Sequence, residues 1–103
     1  MRDDVLVEST PTYSERRIMA YGDEMMCVEN TFVVGDTAPP HHHPNIQISY
    51  IPKGKFEFTI NGETKVLNPG DSAYIGSDVE HSVLCLEDGI VLDLFTPMRK
   101  DFV

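Results

Sequence analysis

Apolar residues come in short runs divided by glycine, proline and acidic turn residues, and none holds a helical period beyond two turns. That pattern predicts strands rather than helices. The expected strands are 16–22 (RRIMAYG), 25–34 (MMCVENTFVV), 45–51 (NIQISYI), 55–60 (KFEFTI), 64–67 (TKVL), 72–76 (SAYIG), 82–86 (SVLCL) and 90–95 (IVLDLF). Asn61-Gly62, between two alternating runs, is the strongest hairpin signal, because both central residues of a type I′ turn take positive φ. Regularly spaced short strands make an all-β sandwich or a small barrel.

Side chains alternate between the faces of a strand, so parity sorts them. Residues 45–51 place Ile46, Ile48 and Tyr50 on one face and Gln47, Ser49 and Ile51 on the other. Residues 90–95 place Ile90, Leu92 and Leu94 opposite Val91, Asp93 and Phe95, so both faces look buried and Asp93 stands out in its set. Taken singly, Gln47 and Asp93 are also compatible with a plain solvent-facing position. Apolar residues on both faces of two strands call for a cover, and a homodimer is the simplest one.

With 103 residues, 41% of them hydrophobic, the chain has the size and composition of one domain with a core of its own. Residues 1–15 are expected to form an N-terminal arm and residues 96–103 a tail near the barrel mouth. A net charge of -9 repels polyanions, so nucleic acid and anionic membranes are poor partners. The N-terminus has no apolar signal-like core and no segment is long enough to span a bilayer, which makes the cytoplasm the default expectation. Cys27 and Cys85 match no metal-binding spacing and are expected to be reduced thiols.

Three of the four histidines lie together in GDTAPPHHHPNIQ, residues 35–47. Pro39, Pro40 and Pro44 oppose helix and hold this stretch extended or in turns. In an extended chain His41 and His43 share a parity that Gln47 also keeps, while His42 points away. Imidazoles two residues apart can bind a d-block ion if further ligands come from elsewhere, and His81 is the remaining histidine.

Residues 35–54 read G-x5-H-x-H-x3-Q-x6-G, which resembles the first cupin motif with glutamine in place of the usual glutamate. Gly70-x5-Gly76-x-Asp78-x2-His81-x3-Cys85 resembles the second, with Gly76, Asp78 and Cys85 where proline, glycine and asparagine are usual. The resemblance implies a double-stranded β-helix holding a divalent transition metal on His41, His43, Gln47 and His81. The stretches HHHPNIQISYIPKGKFEFTINGE, PGDSAYIGSDVEHSVLCLEDG and DLFTPMRKDF are similar to the KdgF family of pectin-degradation cupins. That family linearises 4,5-unsaturated monouronates to 5-keto-4-deoxyuronate, and its D-x-F-x3-R pattern falls on Asp93, Phe95 and Arg99, which the resemblance makes catalytic candidates.

The chemistry fits that expectation. Three neutral imidazoles and a carboxamide leave the full charge on the ion, which favours Lewis-acid work over oxygen activation by a carboxylate-containing facial triad. The ligand set admits Ni, Zn, Mn, Fe or Co. Asp93 is placed to move protons, and Arg99 to grip a substrate carboxylate with its planar fork unless it pairs with Asp101 instead. Two alternatives are a cupin-type metal-dependent dioxygenase and a non-catalytic module that binds sugar acids.

Overall fold

The computed structural model describes residues 4–103. Its strands are β1 (Val7–Glu8), β2 (Glu15–Gly22), β3 (Met25–Phe32), β4 (Thr37–His41), β5 (Ile46–Ile60), β6 (Glu63–Leu67), β7 (Ser72–Ile75) and β8 (His81–Thr96), followed by a 3-10 turn at Lys100–Phe102. They run in the order β1-β2-β3-β8-β5-β6, with β4 added on β8 and β7 on β5, and every pair is antiparallel. The architecture is the expected all-β jelly-roll barrel. No helix among the described residues is long and apolar enough to cross a membrane.

Two pairs of expected strands are in fact single long ones. Residues 45–51 and 55–60 join through Pro52-Lys53-Gly54 into β5, and 82–86 and 90–95 join through Glu87-Asp88-Gly89 into β8. The two turn-like segments lie against each other at a shared bend where the register shifts repeatedly between Tyr50 and Phe56. A Cβ at Gly54 would come within 2.7 Å of the Asp88 carbonyl oxygen, and one at Gly89 would collide with the carbonyl of Lys53. Glycine therefore marks a close backbone crossing here, not a chain reversal. Because of the bend, the first half of β5 pairs with β7 and the end of β8, and the second half pairs with β6 and the start of β8.

The Asn61-Gly62 turn forms as expected, with φ of 50° and 78° between the paired residues Ile60 and Glu63. Strand β4 was not among the expected strands because of its two prolines. It pairs with β8 alone, with an irregularity between Ala38 and His41, which is where a strand accommodates residues lacking an N–H.

Alternate residues of β3, β5 and β8 face inward. At one end, with Leu67 of β6, they form an apolar cluster of Phe32, Ile51, Phe56, Phe58, Val83, Cys85 and Val91. At the other, Ile18, Met26, Val28 and Phe95 pack with Met98 and Phe102. Each fully buried aromatic or aliphatic side chain contributes roughly 1.5–3 kcal/mol. Between the clusters lie buried polar residues, among them Asn30, Gln47, Ser49 and His81.

Candidate metal centre and active site

His41 ends β4 and lies opposite His81, the first residue of β8, as its cross-strand partner. His43 follows two residues later, in the extended stretch that leads into β5. The ring centroids of His41 and His81 are 4.2 Å apart, those of His43 and His81 5.0 Å, and those of His41 and His43 5.7 Å. One nitrogen from each lies within 4.8 Å of the others, so the three could hold a metal ion. His42 points away, exposed, with Nδ1 3.4 Å from Asp78 Oδ1.

Each of the three rings is oriented by its own backbone. Nδ1 lies 2.7 Å from the Pro39 carbonyl in His41, 3.1 Å from that of Asn45 in His43, and 2.9 Å from that of Val79 in His81. A carbonyl only accepts, so each neutral ring carries its proton on Nδ1 and keeps a lone pair on Nε2. Burial also lowers the His43 and His81 pKa values, that of His81 to about 4, with the neighbouring imidazoles and Arg99 adding to the effect. His81 Nε2 is buried without a hydrogen-bond partner among the described residues. A buried acceptor without a donor costs about 1–3 kcal/mol, and a cation would supply what the protein does not.

Gln47 joins this cluster to a second one. Its Nε2 donates to Asp93 Oδ1 and to Ser49 Oγ, both at 3.0 Å, which leaves Oε1 facing His43 Nε2 at 3.1 Å. Two lone pairs thus meet across that gap, a second sign of a place for a cation. A glutamate here would bring a carboxylate against that of Asp93, so the partner explains the amide.

Asp93 is the cross-strand partner of Ser49, whose hydroxyl donates to Asp93 Oδ1 at 2.5 Å. Asn30 Nδ2 donates to Asp93 Oδ2 at 2.9 Å, and the Tyr13 hydroxyl donates to Asn30 Oδ1 at 2.8 Å. Burial pushes the Asp93 carboxyl up to about 6, against the donors Ser49, Gln47 and Asn30 and the charge of Arg99, which pull it down. Burial of Asp93 outweighs its three donors.

Phe95 packs edge-on to His43 at 5.7 Å between ring centroids. Asn45 donates to the Pro97 and Met98 carbonyls at 2.8 and 3.2 Å and so anchors the tail that carries Arg99. Arg99 Nε and Nη2 donate to Asp101 Oδ1 and Oδ2 at 3.0 and 2.8 Å, the pairing raised as an alternative by the sequence. Its guanidinium also lies 4.3 Å from the Phe102 ring centroid. A cavity of about 190 Å³ is lined by His41, His81, Gln47, Asp93, Phe95 and Arg99, together with Tyr13, Arg16, Asn30, Ser49 and others.

All seven expected site residues therefore converge on one place, His43 through its contacts with Gln47, His81 and Phe95. Asn30, Ser49, Tyr13 and Arg16 were missed. Ser49 shares the parity of Gln47, and Asn30 is the one inward polar position of its strand, so parity alone could have flagged both. Nothing local marks Tyr13 or Arg16, which reach the cavity through tertiary placement.

Residues 28–95 match the family described as Cupin domain. Over 91 residues the chain is 38% identical to the pectin degradation protein KdgF of Dickeya dadantii (strain 3937), covering 86% of this chain and 83% of that protein. Among solved structures, an RmlC-like cupin from Shewanella frigidimarina NCIMB 400 superposes with a TM-score of 0.94 at 32% identity, over 100% of this chain and 93% of the other. KdgF from Halomonas sp. does so with a TM-score of 0.91 at 32% identity, over 100% and 96%. The chain belongs to the cupin family, and within it is similar to KdgF.

Proposed function

We propose that this cupin is a metal-dependent enzyme that converts 4,5-unsaturated monouronates, derived from pectin or alginate, to linear 5-keto-4-deoxyuronate. The observation that carries the reading is the coupling of two clusters through one amide: Gln47 faces His43 with its oxygen and Asp93 with its nitrogen. The similarity to KdgF supports the same substrate class. His41, His43, His81 and Gln47 would hold a divalent transition metal. The orphaned Nε2 of His81 and the inward lone pairs fit that group. A bound ion supplies Lewis-acid polarisation of substrate oxygens.

The remaining work falls to the chain. An unsaturated uronate is an enol ether with a hemiacetal carbon on the other side of the ring oxygen. Asp93 accepts the proton of the C1 hydroxyl as the bond between C1 and the ring oxygen breaks, which leaves an aldehyde at C1 and an enolate at C5. The same carboxyl returns a proton to C4, and the C5 oxygen becomes a ketone. No electrons are gained or lost. A carboxyl with a pKa of about 6 exchanges a proton readily near neutrality, although a bound cation pulls that value down. Arg99 serves the substrate carboxylate, and Phe95 walls the site beside His43 and excludes water.

The reading includes a homodimer. Ile46, Ile48 and Tyr50 project from the outer face of β5 and are 38–44% exposed, next to Leu92 and Leu94 of β8. A two-fold contact lets this uncharged row meet itself, and a second copy of the chain is the occupant proposed. Light scattering giving a species near 11.6 kDa would sink that part.

The reaction is tested by NMR with metal-loaded protein and 4,5-unsaturated monouronate in D2O. The expected product is the linear keto-uronate carrying deuterium at C4, formed faster than without protein. Formation at the spontaneous rate would overturn the reading. Dioxygen uptake under Fe(II) would favour the dioxygenase, and stoichiometric binding without product the binding module.

A further inference from the structure

Among the described residues, Arg16 and Arg99 are the two Lys or Arg side chains on the cavity wall. They are not equally available. Both oxygens of Asp101 occupy the Nε and Nη2 donors of Arg99, a fork-to-fork pair of the kind that an incoming carboxylate would need for itself. Arg16 is less committed. Among the described residues its ion pair is with Glu8, a single Nη2 contact at 3.5 Å, it also hydrogen-bonds the Tyr13 hydroxyl, and its Nε is buried without a partner.

The two guanidiniums also share a platform. Phe102 lies 4.0 Å from the Arg16 guanidinium and 4.3 Å from that of Arg99, measured to the ring centroid. Stacking on an aromatic ring fixes the plane of a guanidinium while leaving its edge donors free for a planar anion. Arg16 comes from β2, where it is the cross-strand partner of Asn30, the residue that holds Asp93 Oδ2. The Arg16 position is therefore tied by one ladder step to the carboxyl assigned to proton transfer.

Resting on the reading of the site as one for unsaturated uronates, we propose that Arg16 is a second specificity residue. It shares the substrate carboxylate with Arg99 and supplies the fork that Asp101 occupies on Arg99. The preference for acid over ester or amide then depends on Arg16 more than on any other side chain of the N-terminal half.

The test uses metal-loaded protein and two stable probes, D-galacturonate and its methyl ester, with binding followed by calorimetry for wild type, Arg16→Gln and Arg16→Lys. Arg16→Gln is expected to weaken galacturonate binding by about 10- to 100-fold and to leave the ester within about threefold. Arg16→Lys retains the charge without the fork and is expected to fall between, which keeps the comparison usable if Arg16→Gln folds poorly. Equal loss of acid and ester binding, or no loss of either, would overturn the proposal. In parallel kinetics with unsaturated monouronate, Arg16→Gln is expected to raise KM and largely spare kcat. Wild type that binds galacturonate through Arg16 but never turns over the unsaturated sugar would support this proposal and overturn the reaction. Turnover with Arg16-independent binding would overturn this proposal alone.

Discussion

The same three strands line two very different parts of the barrel interior. Toward one end β3, β5 and β8 contribute Phe32, Ile51, Phe56, Phe58, Val83, Cys85 and Val91. A step or two along those strands they contribute Asn30, Gln47, Ser49, His81 and Asp93. Both regions point inward by the same alternation, so alternation selects the direction of a side chain and not its chemistry. The apolar region needs only volume and packing. The polar region persists because nearly every donor and acceptor in it is matched, as Asp93 is by Ser49, Gln47 and Asn30. The exceptions, the lone pair on His81 Nε2 and the facing lone pairs of His43 and Gln47, are where the site departs from a folding optimum, as functional sites do.

Substitutions in the two regions should therefore fail in different ways. The largest effect is expected from Asp93→Asn, which keeps the shape of the side chain and removes its proton chemistry. Turnover of unsaturated monouronate should fall by about 10²- to 10⁴-fold while circular dichroism still reports a folded barrel. Wild-type rates would remove Asp93 from the mechanism. In the apolar region, Phe56→Ala should cost about 3–5 kcal/mol in denaturant unfolding and leave metal content per folded molecule unchanged. A loss of metal without a loss of stability would blur the division between the two regions.

A smaller effect separates the two halves of the polar region itself. In metal-free protein, burial holds His81 neutral down to about pH 4, whereas the unfolded chain takes up that proton near pH 6.5. The His81 contribution is therefore present above pH 6.5 and lost as the pH falls toward 4, by about 3 kcal/mol. Asp93 works the other way. Its folded value near 6 exceeds the ordinary 3.8, so its contribution is present below pH 3.8 and lost as the pH rises through 6. Relative to wild type, metal-free His81→Asn should gain stability between pH 6.5 and 4, and Asp93→Asn should lose it. Denaturant titrations across that range showing the same sign for both variants would contradict the placement of these groups.

The smallest change is Gln47→Glu, which restores the ligand more usual in cupins. It should tighten metal binding and lower turnover, because the new carboxylate faces Asp93 where an N–H donor stood. Metal affinity by competition against a chelator, alongside turnover, checks both directions.

Much of this was legible along the chain. The Asn61-Gly62 hairpin and the shared parities of His41 with His43 and of Asp93 with Phe95 follow from local rules of turn and alternation, whereas His81 joins them through the resemblance to the second cupin motif. The joining of strands into β5 and β8 was hidden because Gly54 and Gly89 look like turn residues, although each sits where backbones cross too closely for a Cβ. Asn30 was open to parity but not read from it, and Tyr13, Arg16 and Phe102 were hidden by a tertiary arrangement that brings both ends of the chain to one cavity. Local patterns name the inward residues of a strand. They do not name what the chain ends bring to meet them.

The central claim, a metal-dependent opening of unsaturated uronates, is tested most directly by the ultraviolet absorbance of the 4,5 double bond. Lyase-generated monouronate would be followed with wild-type protein, with chelator-stripped protein and with stripped protein after divalent metal is restored. The account predicts rapid loss of absorbance with wild type, only the spontaneous rate after stripping, and recovery when the ion is returned. Equal rates in stripped and metal-loaded protein, or no acceleration in either, would contradict it.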